Sequence, residues 1–251
     1  SCLDGVQYDQ ETMAARVRQV TPARLEAFGF VVGSLLFAAG AWVSQFALTD
    51  VTRANQIFVI GALCFTLAAA LEMAIAISNQ VVLNGRWSWR SGVWNPDLLS
   101  ACFQLAGCIY FNVMTIRALA TQFVDSDDEN DLVWRPEIYG SALFLLSAIL
   151  AWYAITGRRR RPDTEPHFVW ISRANVCGAI AFGVSAFGAR YMADGTLKNP
   201  TEANIGTFVG ALFFLVGAVL VFPSWDEYPA DRLRRIRRQR QEARLERQAS
   251  S

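Results

Sequence analysis

Six stretches of this chain are each apolar over about the thickness of a bilayer core, and no other feature limits its fold as strongly. They run from Phe28 to Leu48, Ile57 to Ile77, Leu98 to Leu119, Ile138 to Ile155, Ile171 to Met192 and Thr207 to Phe222. A helix needs about 20 apolar residues to cross the hydrocarbon. Strand alternation is absent, and backbone groups in lipid must be bonded within their own segment, so each stretch reads as a helix. The fold expected is all-α: a polytopic transmembrane bundle of about six helices. Residues 1–27 read as an N-terminal cytoplasmic arm, in which Met13, Val17 and Val20 have the spacing of a short amphipathic helix. Residues 28–222 form the six-helix domain, and 223–251 a basic cytoplasmic tail.

Local signals agree with these limits. Thr21-Pro22 has the form of an N-cap followed by proline at the first helical position. Asn95-Pro96, Arg135-Pro136, Asn199-Pro200 and Pro223 stand at span edges, and Trp87, Trp89, Trp94, Trp134, Trp170 and Trp225 fall near the expected interfaces. The first 27 residues carry seven charged side chains from Asp4 to Glu26, which is unlike a cleavable leader.

The net charge of +1 conceals a strong segregation. Arg86, Arg90, the run Arg158 to Arg161 and the arginine-rich tail alternate along the chain with segments holding few basic residues, one of which is the acidic run 125–131. The positive-inside rule then places both termini in the cytoplasm. Arg158, Arg159, Arg160 and Arg161 are a stop-transfer signal and a candidate contact for anionic lipid. No global field points to nucleic acid. The acidic run fails as a calcium loop, because Asn130 stands where glycine is needed and Pro136 where glutamate is needed.

One pattern recurs: glycine, a small residue, two apolar residues, then phenylalanine. It reads Gly33 to Phe37, Gly61 to Phe65, Gly140 to Phe144, Gly178 to Phe182 and Gly210 to Phe214, with helix three departing from it. Gly29 with Gly33 and Gly206 with Gly210 add GxxxG pairs. Such faces let helices approach closely, and the phenylalanine four residues on shares the face. Together with Val93-Trp94-Asn95-Pro96 against Val133-Trp134-Arg135-Pro136, the pattern suggests an internal repeat, either of a helix pair or of a three-helix half.

The Trp-x-Pro-x-x-x-Gly-Ser-x-x-Phe string from Trp134 to Phe144, with the other Gly-small-x-x-Phe helices, resembles the YrhK-like group of small membrane proteins. The resemblance covers a helix pair at a time. It implies a helical membrane fold and carries no activity onto any residue.

The chemical vocabulary is thin. His167 is the one histidine, and Cys64, Cys102, Cys108 and Cys177 lie in apolar runs without CxxC spacing. No metal site, cofactor or catalytic pair is indicated. Glu72 is read as the one carboxylate well inside a span, serving either to bind a proton or cation or as a structural or snorkelling group. Gln104 and Asn112 lie eight apart on one face of helix three, and a role as interhelical bonds outweighs a polar path. Arg117 and Arg190 read as outward-snorkelling groups that meet the acidic loop, with joint anion binding as the alternative. The leading functional expectation is an accessory or scaffolding subunit with a protein partner or a second copy. The alternative is a transporter or channel for a small solute or ion that uses Glu72 and nearby amides.

Overall fold

Six of the helices in the computed structural model are long and apolar enough to cross a membrane. The structure describes residues 2–46, 51–84, 95–120, 126–156 and 166–221, with side chains described in 22–46, 51–81, 95–120, 127–156 and 168–221. The helices are α1 (Cys2–Phe46), α2 (Val51–Asn84), α3 (Pro96–Ala120), α4 (Arg135–Thr156), α5 (Pro166–Gly188) and α6 (Pro200–Val221). The chain is thus a multi-pass helical membrane bundle. The arginine run 158–161, the tail 223–251 and Trp87, Trp89, Trp94 and Trp225 lie outside the described residues.

Two boundaries differ from expectation. Helix α1 continues through Pro22 instead of starting there, so Thr21 is not an N-cap. Within it, a candidate membrane span covers Pro22–Phe46. The fourth span also starts early. A helical turn at Ser126–Glu129 and a π-helical turn at Asn130–Trp134 lead directly into α4, and the span reaches back to Asp127. Most of the expected acidic loop is therefore helix. Asn130 is held there by two bonds to the backbone of Tyr191, at 2.9 and 3.0 Å. Asn95-Pro96 and Asn199-Pro200 do stand at helix starts, and Pro223 lies outside the described residues. Asn95 accepts from the Asp97 N–H at the start of α3, and Asn199 with Glu202 closes a reciprocal cap on α6.

The helices pair as three antiparallel hairpins, α1/α2, α3/α4 and α5/α6, and the contacts α2/α3, α4/α5 and α6/α1 close these into a ring. Each hairpin is locked in the same way. In an antiparallel pair, the glycine of one Gly-x-x-x-Phe segment lies opposite the phenylalanine of the other. A Cβ on Gly33 would stand 2.8 Å from the Phe65 ring, and one on Gly61 would stand 2.9 Å from the Phe37 ring. Gly140 faces Phe111 at 2.8 Å, and Gly107 faces Phe144 at 2.6 Å. Gly178 faces Phe214, and Gly210 faces Phe182. Helix α3 therefore does not depart from the pattern: Gly107-Cys108-Ile109-Tyr110-Phe111 is its copy.

Because α1, α3 and α5 run one way and α2, α4 and α6 the other, the six phenylalanines form two tiers on the ring axis. Phe37, Phe111 and Phe182 make a triangle with centroid separations of 5.7 to 6.0 Å. Phe65, Phe144 and Phe214 lie one helical turn away, with Phe214 6.3 and 6.0 Å from the other two. The tiers interlock, as in the 5.0 Å stack of Phe111 on Phe144. All six rings are buried. Large apolar side chains such as Leu35, Leu67, Ile109, Ile149, Phe187 and Val216 point outward instead, as a lipid-facing surface requires.

Serine hydroxyls fasten the hairpins at other depths. Ser100 and Ser147 are buried and each donates to the other's carbonyl oxygen, at 3.0 and 2.9 Å. Ser147→Ala is expected to lower stability by about 1 kcal/mol. Reversible unfolding in mixed micelles checks this, and an unchanged midpoint would mean that the pair adds nothing beyond packing.

Candidate functional site

Depth in the bundle can be counted from the Gly-x-x-x-Phe segments, which mark its middle. At about 1.5 Å of rise per residue, Glu137 lies only about 5 Å along α4 from Gly140. Counted from the midpoint of each helix's own segment, Glu26 and Glu72 both lie about 13 Å from the middle, toward the other end. All three lie within the candidate membrane spans Pro22–Phe46, Val51–Val81 and Asp127–Thr156. Glu72 is therefore not alone. Glu26 had been assigned to the N-terminal arm, and Glu137 to the position just outside helix four.

The three carboxylates line two cavities at opposite ends of the bundle. The larger, about 740 Å³, lies on the ring axis and draws residues from all six helices. Its floor is the triangle of Phe37, Phe111 and Phe182. Glu137 reaches it from α4 and Glu129 from the turn before, while Gln45, Asn55, Asn204 and Tyr191 stand around its walls. The smaller, about 300 Å³, lies between the first two hairpins and is lined by Glu26, Glu72, Asn79, Gln80, Asp97 and Ser100. Among the described residues, no lysine or arginine lines either cavity. Among the described residues Glu26, Glu72 and Glu137 accept no hydrogen bond and form no ion pair. A carboxylate withdrawn from bulk water without a partner is costly, and such groups are rare in membrane helices.

The walls of the larger cavity are held by a bond repeated around the ring. Six residues before the second glycine of each hairpin stand Asn55, Trp134 and Asn204. Asn55 donates to the Ala118 carbonyl oxygen at 3.0 Å, Trp134 to that of Ala186 at 2.8 Å, and Asn204 to Gln45 Oε1 at 3.2 Å. Each bond ties one hairpin to the next. The loop between α5 and α6 closes over one side, turning at Gly195 with a φ of 76° and bringing Tyr191 and Leu197 into an isolated bridge. Burial, and then the charges of Glu129 and Glu137, push the Tyr191 phenol up to about 12. Tyr191 therefore stays neutral.

The remaining sequence candidates are not gathered into either cavity. Asn112 donates to Thr66 Oγ1 and to the carbonyl oxygens of Ala62 and Cys108, tying α3 to α2. That is the structural role. Gln104 is half-buried and lines neither cavity. Arg190 lies over the Trp134 ring at 5.4 Å, Arg117 is exposed, and α3 and α5 are not ring neighbours, so the two arginines do not share a site. One ion pair in the acidic segment joins Asp131 to Arg135, 3.0 Å apart on the surface. The GxxxG glycines are spent inside hairpins: Gly29 meets Ala68 and Gly206 meets Ser185. Against protein-family models, curated proteins and solved structures, the chain matches none.

Proposed function

We propose that the chain is a transporter or channel for small cations, held in this structure with its path closed. One observation carries the reading. At opposite ends of the bundle, with the two aromatic tiers between them, one cavity holds Glu26 and Glu72 and the other Glu137, carboxylates that have no hydrogen bond or ion pair among the described residues. An apolar constriction between hydrated ends is a common form of gate. The arginine distribution supports cytoplasmic termini, so the larger cavity faces outward and the Glu26–Glu72 cavity faces the cytoplasm. Recurrence of the same glycine, phenylalanine and clamp positions in three hairpins supports descent from a duplicated hairpin, of the kind many transporters carry. Kinship with the YrhK-like group rests on the same glycine–phenylalanine segments.

Flux in proteoliposomes tests this. Wild-type protein is expected to pass a monovalent cation saturably, and Glu137→Gln and Glu72→Gln each to lower the rate at least tenfold with the fold intact. A wild type that moves no sodium, potassium or proton while remaining folded would overturn it. The unbroken aromatic layer favours a second reading, a static accessory subunit. That reading requires a fixed protein partner or a defined homo-oligomer after extraction in mild detergent, and a lone monomer that conducts decides against it.

A further inference from the structure

We propose that Arg173, held between Trp152 and Trp170 on the lipid-facing side of α4 and α5, binds the phosphate of an anionic phospholipid. The site lies outside both cavities.

Its placement follows from the pattern of α5. Arg173, Cys177, Ile180, Val184 and Phe187 recur at helical spacing and are all exposed, so they form one stripe on the outside of the ring. The other four are apolar, as a lipid-facing stripe requires, and Arg173 is the charge at its end. Arg173 stands near the start of the candidate span Phe168–Gly188, and Trp152 near the end of the candidate span Asp127–Thr156. Side chains on a helix lean toward its N-terminus, which carries the guanidinium toward the boundary of the span, where Trp170 lies one turn before it. Tryptophan at that level anchors a helix at the headgroups.

Two rings fix the cation. The Arg173 guanidinium carbon lies 5.0 Å from the centre of the Trp170 ring and 5.8 Å from that of Trp152, so two helices bracket it across the α4/α5 seam. Contact with ring faces orients the flat group and leaves the N–H donors on its edge available. Among the described residues, no carboxylate or carbonyl oxygen meets those donors. A cation on a lipid-facing surface with no anion from the protein is costly. A phosphate at headgroup level removes that cost, and the guanidinium fork fits two phosphate oxygens at once. A net negative lipid suits the site better than a zwitterionic one, whose own ammonium competes for its phosphate. The sequence between α4 and α5 adds Arg158 to Arg161, which favours the same choice.

Native mass spectrometry of the protein released from detergent micelles reads bound lipid directly. Phosphatidylglycerol is expected to be retained in preference to phosphatidylcholine with the same acyl chains. Arg173→Gln is expected to lower that retention about tenfold, while Arg117→Gln, at the other end of the bundle, leaves it unchanged. If Arg173→Gln does not fold, phosphatidylglycerol with a photoreactive group next to its headgroup decides on the native protein, by labelling the peptide that holds Trp170 and Arg173. Equal retention of the two lipids, undiminished retention by folded Arg173→Gln, an equal loss with Arg117→Gln, labelling confined to other helices, or displacement of the lipid by an equal concentration of inorganic phosphate would each overturn the proposal.

Discussion

Replacing Phe182 with alanine is expected to make the closed bundle leak. The Phe182 ring lies 5.9 Å from Phe37, 5.7 Å from Phe111, 6.3 Å from Phe144 and 5.3 Å from Phe214, so it joins both tiers. It is also part of the floor of the larger cavity. Deleting it removes a side chain that neighbouring helices cannot collapse to replace, because the glycine contacts already hold them at minimum distance. Losses of about 3–5 kcal/mol are typical for a buried phenylalanine. The void would extend the cavity through the upper tier. Two measurements check this: a lower unfolding midpoint in mixed micelles, and a proton or potassium leak in proteoliposomes that the wild type does not show in the same buffer. Phe182→Leu, which keeps most of the volume, should leak far less. Tight vesicles containing folded Phe182→Ala protein would show that the tiers are not the seal.

Gly140→Leu is expected to abolish the folded bundle. A single Cβ there already meets the Phe111 ring at 2.8 Å and the Gly107 carbonyl oxygen at 3.2 Å, and the latter is backbone that cannot turn aside. Extra methylenes in a packed interior cost about 1–3 kcal/mol where neighbours can yield. Here α3 and α4 must separate along their length, which also breaks the Ser100–Ser147 pair. Loss of a monodisperse peak after extraction is the readout. Gly183→Ala is the control: its Cβ would meet nothing within 4 Å, and an alanine inside a helix is favoured by about 0.5–1 kcal/mol. If both substitutions were equally harmful, helix propensity rather than close approach would be the cause.

The six spans were legible because lipid imposes a length and an apolarity that composition alone reveals. The hairpin lock was half legible. Five glycine–phenylalanine segments were read, while the sixth was passed over although Cys108 is as small as the serine or alanine at the same position elsewhere. Which helices pair could not be read, since identical segments fit any antiparallel neighbour. Glu137 was missed for a definite reason. Arg135-Pro136 resembles a helix start, and only the π-helical turn before it carries the helix on toward Ser126. A usable signal was present nonetheless: Glu137 precedes a mid-membrane glycine by three residues, too few to reach the interface at about 1.5 Å each. The Asn112 amide joins α3 to α2, and Glu72 lines the smaller cavity. Its companion Glu26 stands two residues before the apolar stretch that begins at Phe28, which puts it in the N-terminal arm on sequence alone.

The seam between α6 and α1 has a consequence for how the molecule comes into being. Within a hairpin the contacts are short-range in sequence, so each can form as soon as its two helices are in the membrane. The clamp from Asn204 to Gln45 spans 159 residues. Contacts so distant along the chain form late, because the loop entropy of closing them must be met first. Until the third hairpin docks, the first two present an arc whose carboxylate side lies open to lipid. The larger cavity is thus a property of the closed circle alone, and any lesion that delays the last hairpin removes the cavity before it harms a single helix.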